Sequence, residues 1–497
     1  MHRNGTGRAT AALSLLLAAN VARADPEISW IRTLDDASGA NGVVSGLVLT
    51  ASGDVVSAGH VGARFAVVKQ RGTDGETLWG TELPDSEPSS AGIASAVAIG
   101  KSGDAFAAGY TQAAGNVNFT VVRLSDVDGS VLWTRAVDGP AAQEDVAFAL
   151  ALDKSDDVLA AGSMMGATTA RDFAVVKLDG KTGSVLWQRT IAGSSNLAGQ
   201  DSAQAIAVDA DGNAIATGYL AKSETGVNLD FTTVKLDGAT GSVVWTRRYA
   251  ATPAYDFGHA VAVAPGGDAI VAGTLGGHFT VMRLRASDGS KLWQYQSNAG
   301  SISPPSIASK VVVTSGGIVV GGYEGTTGAA HPFVVKLNGT TGAPIWEKAV
   351  GTAASSWSPA RPEVLASGEV LAAGGLEDKG IVVRLKGSDG SQIWRLDQKG
   401  RRPSAVALQN DAFFVGGSAD AGANATDYLT MKLSVLPSCV VGNKIHIECA
   451  CDCGIHQVCL RGKCKTIEPA QPTGHLHTDK KKKKPKKSQP HAAPAAH

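Results

Sequence analysis

Three carboxylates recur at one register of this 497-residue chain: Asp145 opening DVAFALAL, Asp201 opening DSAQAIAV and Asp256 opening DFGHAVAV. Carboxylates brought together from three units could hold a calcium ion or serve a hydrolase or lyase. The same residue at a strand entry can instead bond nearby backbone amides, as in an Asx-turn. A second set is aromatic. Trp357, in AASSWSPARPE, with Tyr255 and Phe257, offers flat apolar surface to a protein or glycan, or folds back on the core. Asp209 and Asp211 match only part of a calcium loop, and we read a turn there. No H-E-x-x-H, G-x-S-x-G or Walker A sequence occurs.

The elements that must position these residues repeat. A basic residue ending an apolar strand is followed ten positions later by Trp, as in Lys69 and Trp79, Arg123 and Trp133, or Lys177 and Trp187. The pattern continues with Trp245, Trp293, Trp346 and Trp394, about fifty residues apart, a spacing suited to propeller blades. Between each pair lies a Gly-rich turn such as DGKTG, and before it a couplet such as AIAVDADGNAIATGY. Short alternating runs split by such turns predict four antiparallel strands per unit. Composition agrees: 60 Gly and only 18% charged residues favour strands and tight turns over long charged helices.

The ends complete each other. Trp30, in EISWIRTL, has the outer-strand pattern with nothing before it, and Lys432 ends a third strand with no Trp after it. Joining them closes the ring and leaves no free sheet edge. The expected fold is all-β: an eight-bladed propeller of four-stranded blades, closed by pairing its terminal strands. A Trp present in every unit, Trp30 included, is expected to seal neighbouring blades rather than to bind. Function should lie where the units differ, on the face carrying the long loops.

DSAQAIAVDADGNAIATGY followed by DFTTVKLDGATGSVVW resembles the bacterial SBBP-type propeller repeat, and DGxTGxxLW resembles the PQQ-like propeller repeat. The resemblance covers about residues 27–436. It implies that each Trp docks on the next blade. Quinoprotein dehydrogenases of this fold use calcium, a Trp floor and usually a vicinal disulfide to hold PQQ. Here no cysteine precedes Cys439, so no PQQ, and no cofactor beyond a possible calcium ion, is expected.

The flanks read differently. Residues 1–24 carry Arg3 and Arg8, then AALSLLLAANVA and an Ala-Arg-Ala end, the pattern of a secretory signal peptide. No segment looks long enough to span a membrane. Residues 25–437 form the expected propeller, with 31 Lys and Arg against 41 Asp and Glu. Residues 438–466 hold Cys439, Cys449, Cys451, Cys453, Cys459 and Cys464, read as three disulfides of open connectivity in an exported protein. Residues 467–497 lack a core-forming pattern and are expected to be disordered. Their seven lysines between Lys480 and Lys487 suit contact with a polyanion, whereas the acidic body disfavours specific nucleic-acid binding. The chain is thus expected to be secreted or held at the cell envelope. It would act as a non-catalytic scaffold for a protein or glycan, with a carboxylate enzyme and a purely architectural part as rivals.

Overall fold

The computed structural model describes residues 26–434, apart from 35–40, 63, 84–91, 114–115, 142, 194–199, 223–228, 252–255, 301–302, 411 and 423–424, and then four short strands between 440 and 466. The expected signal peptide, Tyr255, Cys439, Cys449, Cys451, Cys453 and the lysine run lie outside the described residues. The chain divides into two compact units, Met1–Ser438 and Cys439–His497.

The first unit is the expected eight-bladed propeller, each blade a four-stranded antiparallel sheet. Blades 1 to 7 occupy residues 43–82, 93–137, 146–191, 202–249, 257–300, 307–349 and 357–399. Blade 8 combines Arg401–Gln409, Ala412–Gly422 and Ala425–Ser434 with the N-terminal strand Glu27–Leu34. Trp30 lies opposite Lys432 and Leu34 opposite Tyr428, so the two ends of the repeat array share one sheet.

The cores form between blades. Leu159, Phe173 and Val175 of blade 3 pack with Ala203, Ala214 and Val234 of blade 4, all fully buried. Phe65, Phe119, Phe173, Phe231 and Phe279 hold the same place in third strands and are inaccessible. Burying each ring contributes roughly 2–3 kcal/mol. Small residues on inner and second strands let adjacent sheets approach, which is why Ala recurs beside these phenylalanines.

Among the described residues a two-donor clamp locks seven of the eight seams at the tight-turn face. The Gly180 carbonyl of blade 3 accepts the Trp133 indole N–H at 3.1 Å and an Arg123 N–H at 2.9 Å, both from blade 2. The Gly238 carbonyl receives Trp187 and Lys177 in the same way, and five further carbonyls, from Gly72 to Gly387, repeat it. A carbonyl has two lone pairs and accepts both. In four of the seven clamps the cation also meets a carboxylate of its own blade at 2.8 Å or less, as Lys177 meets Asp153 at 2.8 Å and Lys235 meets Asp209 at 2.8 Å. The turn glycine allows the approach: a Cβ on Gly183, whose φ is +68°, would stand 2.7 Å from the Trp133 ring.

At the eighth seam, between blades 7 and 8, the segment after Ser434 lies outside the described residues. Blade 8 takes its third and outer strands from opposite ends of the chain, so no turn joins them. Trp394 of blade 7 is still buried, and Arg384 pairs with Glu369 of its own blade. Among the described residues neither donates to a blade 8 carbonyl.

In the second unit, Val440–Val441 pairs with Lys444–Ile445, and Gln457–Leu460 pairs with Lys463–Thr466. The latter hairpin sets Cys459 opposite Cys464 in backbone register.

Candidate functional site

Antiparallel order puts the links between second and third strands, and those from one blade to the next, on a single face. The longer links between strands run on that side, while among the described residues the other face carries only tight turns.

On the loop face, Asp145, Asp201 and Asp256 each tie a loop to a strand end. Asp145 accepts the amides of Gly139 at 2.6 Å and Met165 at 2.7 Å. Asp201 accepts those of Gly193 and Ala221, both at 2.6 Å. Asp256 accepts those of Ala251 and Gly276. Their own amides donate to third-strand carbonyls of the preceding blade, at Val117, Arg171 and Leu229. Blade 6 keeps the device with Ser306, whose hydroxyl accepts the Gly325 amide. All three carboxylates are buried, and desolvation raises their pKa values. The amide bonds only partly offset this, and Asp201, with Asp172 nearby, reaches about 6. Each is therefore a staple for the loop that enters its own blade. Among the described residues no group of three or more His, Cys, Asp or Glu stands in metal-binding geometry.

The aromatic residues sit at blade seams of the same face. Trp357 is the first residue of the inner strand Trp357–Val364 rather than part of a loop, because it pairs with Leu376. Its ring lies 5.8 Å from that of Tyr323 in blade 6. Phe257 opens the inner strand of blade 5, with its ring edge-on and 5.0 Å from that of Tyr219 in blade 4. All four are half-buried, so each pair closes a seam and still presents ring surface to solvent. Tyr219 and Tyr323 escaped the sequence reading. They lie toward the loop-face ends of second strands, in ATGY and GGY, and the blade-to-blade register that pairs them with Phe257 and Trp357 appears only in three dimensions.

The grid tryptophans give no binding surface. Trp30, Trp79, Trp187, Trp245, Trp293, Trp346 and Trp394 are buried, Trp133 is nearly so, and seven indole N–H groups are spent on carbonyls. None is free to floor a quinone.

With this geometry in hand, relatives can be compared. The model of the family described as outer membrane protein assembly factor BamB matches residues 19–233 and 229–423, most of the chain. No curated protein matches significantly. BamB from Moraxella catarrhalis superposes with a TM-score of 0.53 at 16% identity, covering 82% of this chain and all of that one. Quinohemoprotein alcohol dehydrogenase from Comamonas testosteroni gives 0.57 at 12% identity, covering 87% and 79%. A europium-containing methanol dehydrogenase gives 0.57 at 11%, covering 84% and 94%. At such identities the superpositions speak for the fold alone, whereas the sequence match spans both halves of the ring. The chain belongs to the family of the outer membrane protein assembly factor BamB.

Proposed function

We propose that this protein is an exported, non-catalytic scaffold that holds a protein partner at the cell envelope through its loop face. The observation that carries the reading is the pair of aromatic seams on that face. Phe257 with Tyr219 and Trp357 with Tyr323 present half-buried rings, the surface on which protein interfaces build their strongest contacts. The family, described as an assembly factor, supports the same reading. The rival hydrolase or lyase would need Asp145, Asp201 and Asp256 as reagents, and these are already engaged with loop amides. In this reading residues 438–497 retain the protein at the envelope through a disulfide-stapled module and the Lys480–Lys487 run.

Photo-cross-linking in cells tests the partner. A benzophenone amino acid at position 257 or 357 should capture a discrete protein. The same group at Val127, 88% exposed in a tight turn of blade 2, should not. Equal capture from all three positions, or none from the loop face, sinks the proposal. Removing residues 438–497 should lower envelope retention; unchanged retention rules out the tail's part in it.

A further inference from the structure

The eight inner strands line the central channel, and charge is distributed unevenly among them. Those of blades 1 to 5 contain no Lys, Arg, Asp or Glu. Those of blades 6 to 8 contain Lys310, Arg361, Glu363, Arg401 and Arg402. All the charged inner-strand residues thus fall in three adjacent blades of an otherwise uncharged set.

The backbone sharpens this asymmetry. Every inner strand breaks register near its loop-face end, and a bulge re-aims the side chains around it. The first paired residue after the break is Gly46, Ala96, Ala149, Ala205, Ala260 or Ala405 in six blades. In adjacent blades 6 and 7 it is Lys310 and Arg361. Lys310 Nζ meets Glu363 at 2.6 Å and the Val406 carbonyl of blade 8 at 3.4 Å. Its side chain therefore runs along the channel past blade 7. Arg361 has no counterpart of Glu363: its Nε is buried with no acceptor among the described residues, and desolvation pulls its pKa below the ordinary arginine value.

Unmet hydrogen-bonding capacity marks the same place. Among the described inner-strand residues, the buried side-chain atoms without a partner are Ser358 Oγ and Arg361 Nε of blade 7 and, two blades away, His259 Nε2 of blade 5. An enclosed guanidinium stays charged and is costly to leave unpaired. An oxyanion would take up the charge and the neighbouring donors together.

We infer that the channel wall of blades 6 and 7 is a binding site for the oxyanion group, carboxylate or phosphate, of a small ligand. Arg361 is its fixed ligand-binding residue and Lys310 its movable one.

The full chain is titrated calorimetrically with inorganic phosphate and, separately, benzoate at constant ionic strength. At least one should bind saturably, and the tighter probe tells a phosphate site from a carboxylate site. Arg361→Gln should weaken binding at least tenfold while leaving the unliganded protein no less heat-stable, since an unpaired buried charge is removed. Glu363→Gln, which frees Lys310, should tighten binding several-fold and decides the matter if the Arg361 variant fails to fold. No saturable binding of either probe, or parental affinity in both variants, overturns the site.

Discussion

The tight-turn face and the loop face both bury aspartates, and they treat them in opposite ways. At the turns, burial alone would raise Asp104, Asp153 and Asp209. Hydrogen bonds from Arg123, Lys177 and Lys235, with nearby amides, outweigh it and hold all three below the usual carboxylate value. On the loop face, burial again leads for Asp145, Asp201 and Asp256. Amides answer it, joined at Asp201 only by a weaker pull from Arg248 that makes no direct bond, and neighbouring Asp138, Asp172 and Asp230 add to the rise. The difference is the cation. One face is built to be rigid in every unit; the other tolerates unbalanced charge and varied loops, and so has latitude for binding.

This contrast orders the expected effects of substitution. Trp187→Ala should cost about 3–5 kcal/mol in chemical denaturation, since it empties a buried ring site and breaks a seam. Trp357→Ala, half exposed on the other face, should cost much less and act on partner capture instead. Next in size, Lys177→Met strands Asp153 and should cost about 3 kcal/mol. Equal costs for Trp187→Ala and Trp357→Ala would erase the distinction between the faces.

A smaller effect isolates the clamp. Trp187→Phe keeps a ring in place but loses the indole bond to Gly238, and should cost about 1 kcal/mol relative to the parent. Paired denaturation curves measure it. Equal stability of the parent and Trp187→Phe would mean that the clamp's hydrogen bond adds nothing to packing.

The pH dependence separates the faces by sign. Asp201 has a raised folded pKa of about 6 against a reference of 3.8. Its contribution is fully present below the reference value and lost as pH rises through about 6. Asp104, Asp153 and Asp209, being lowered, contribute above the reference value and lose that contribution as pH falls through their folded values. Between pH 7 and 4 the parent should therefore gain stability relative to Asp201→Asn as the solution is acidified. Lys177→Met should show its largest deficit near neutrality and a smaller one in acid. A parent-minus-Asp201→Asn difference that is flat from pH 7 to 4 would contradict the loop-face assignment.

The fold was legible because its signals are local and repeated. Trp at a fixed distance from a basic residue, with a Gly turn between, specifies a hairpin, and the unmatched Trp30 and Lys432 reveal the closure. The basic residue itself read only as the end of a strand. Its partner is a carbonyl in the next blade, about fifty residues away, which no local pattern encodes. The site was less legible for the same reason. Asp145, Asp201 and Asp256 stood out, yet only the loop amides that fold back onto them reveal staples. Trp357 stood out as well, while Tyr323 and Arg361 acquire meaning only from what the adjoining blade sets beside them.

Ring closure underlies every assignment here, and excising the closing strand tests it most directly. A chain starting at residue 35 should lose the single cooperative melt of a chain starting at residue 25, and a peptide spanning residues 25–34 added in trans should restore it. Identical melting of the two chains would mean that the terminal strand does not hold the ring together.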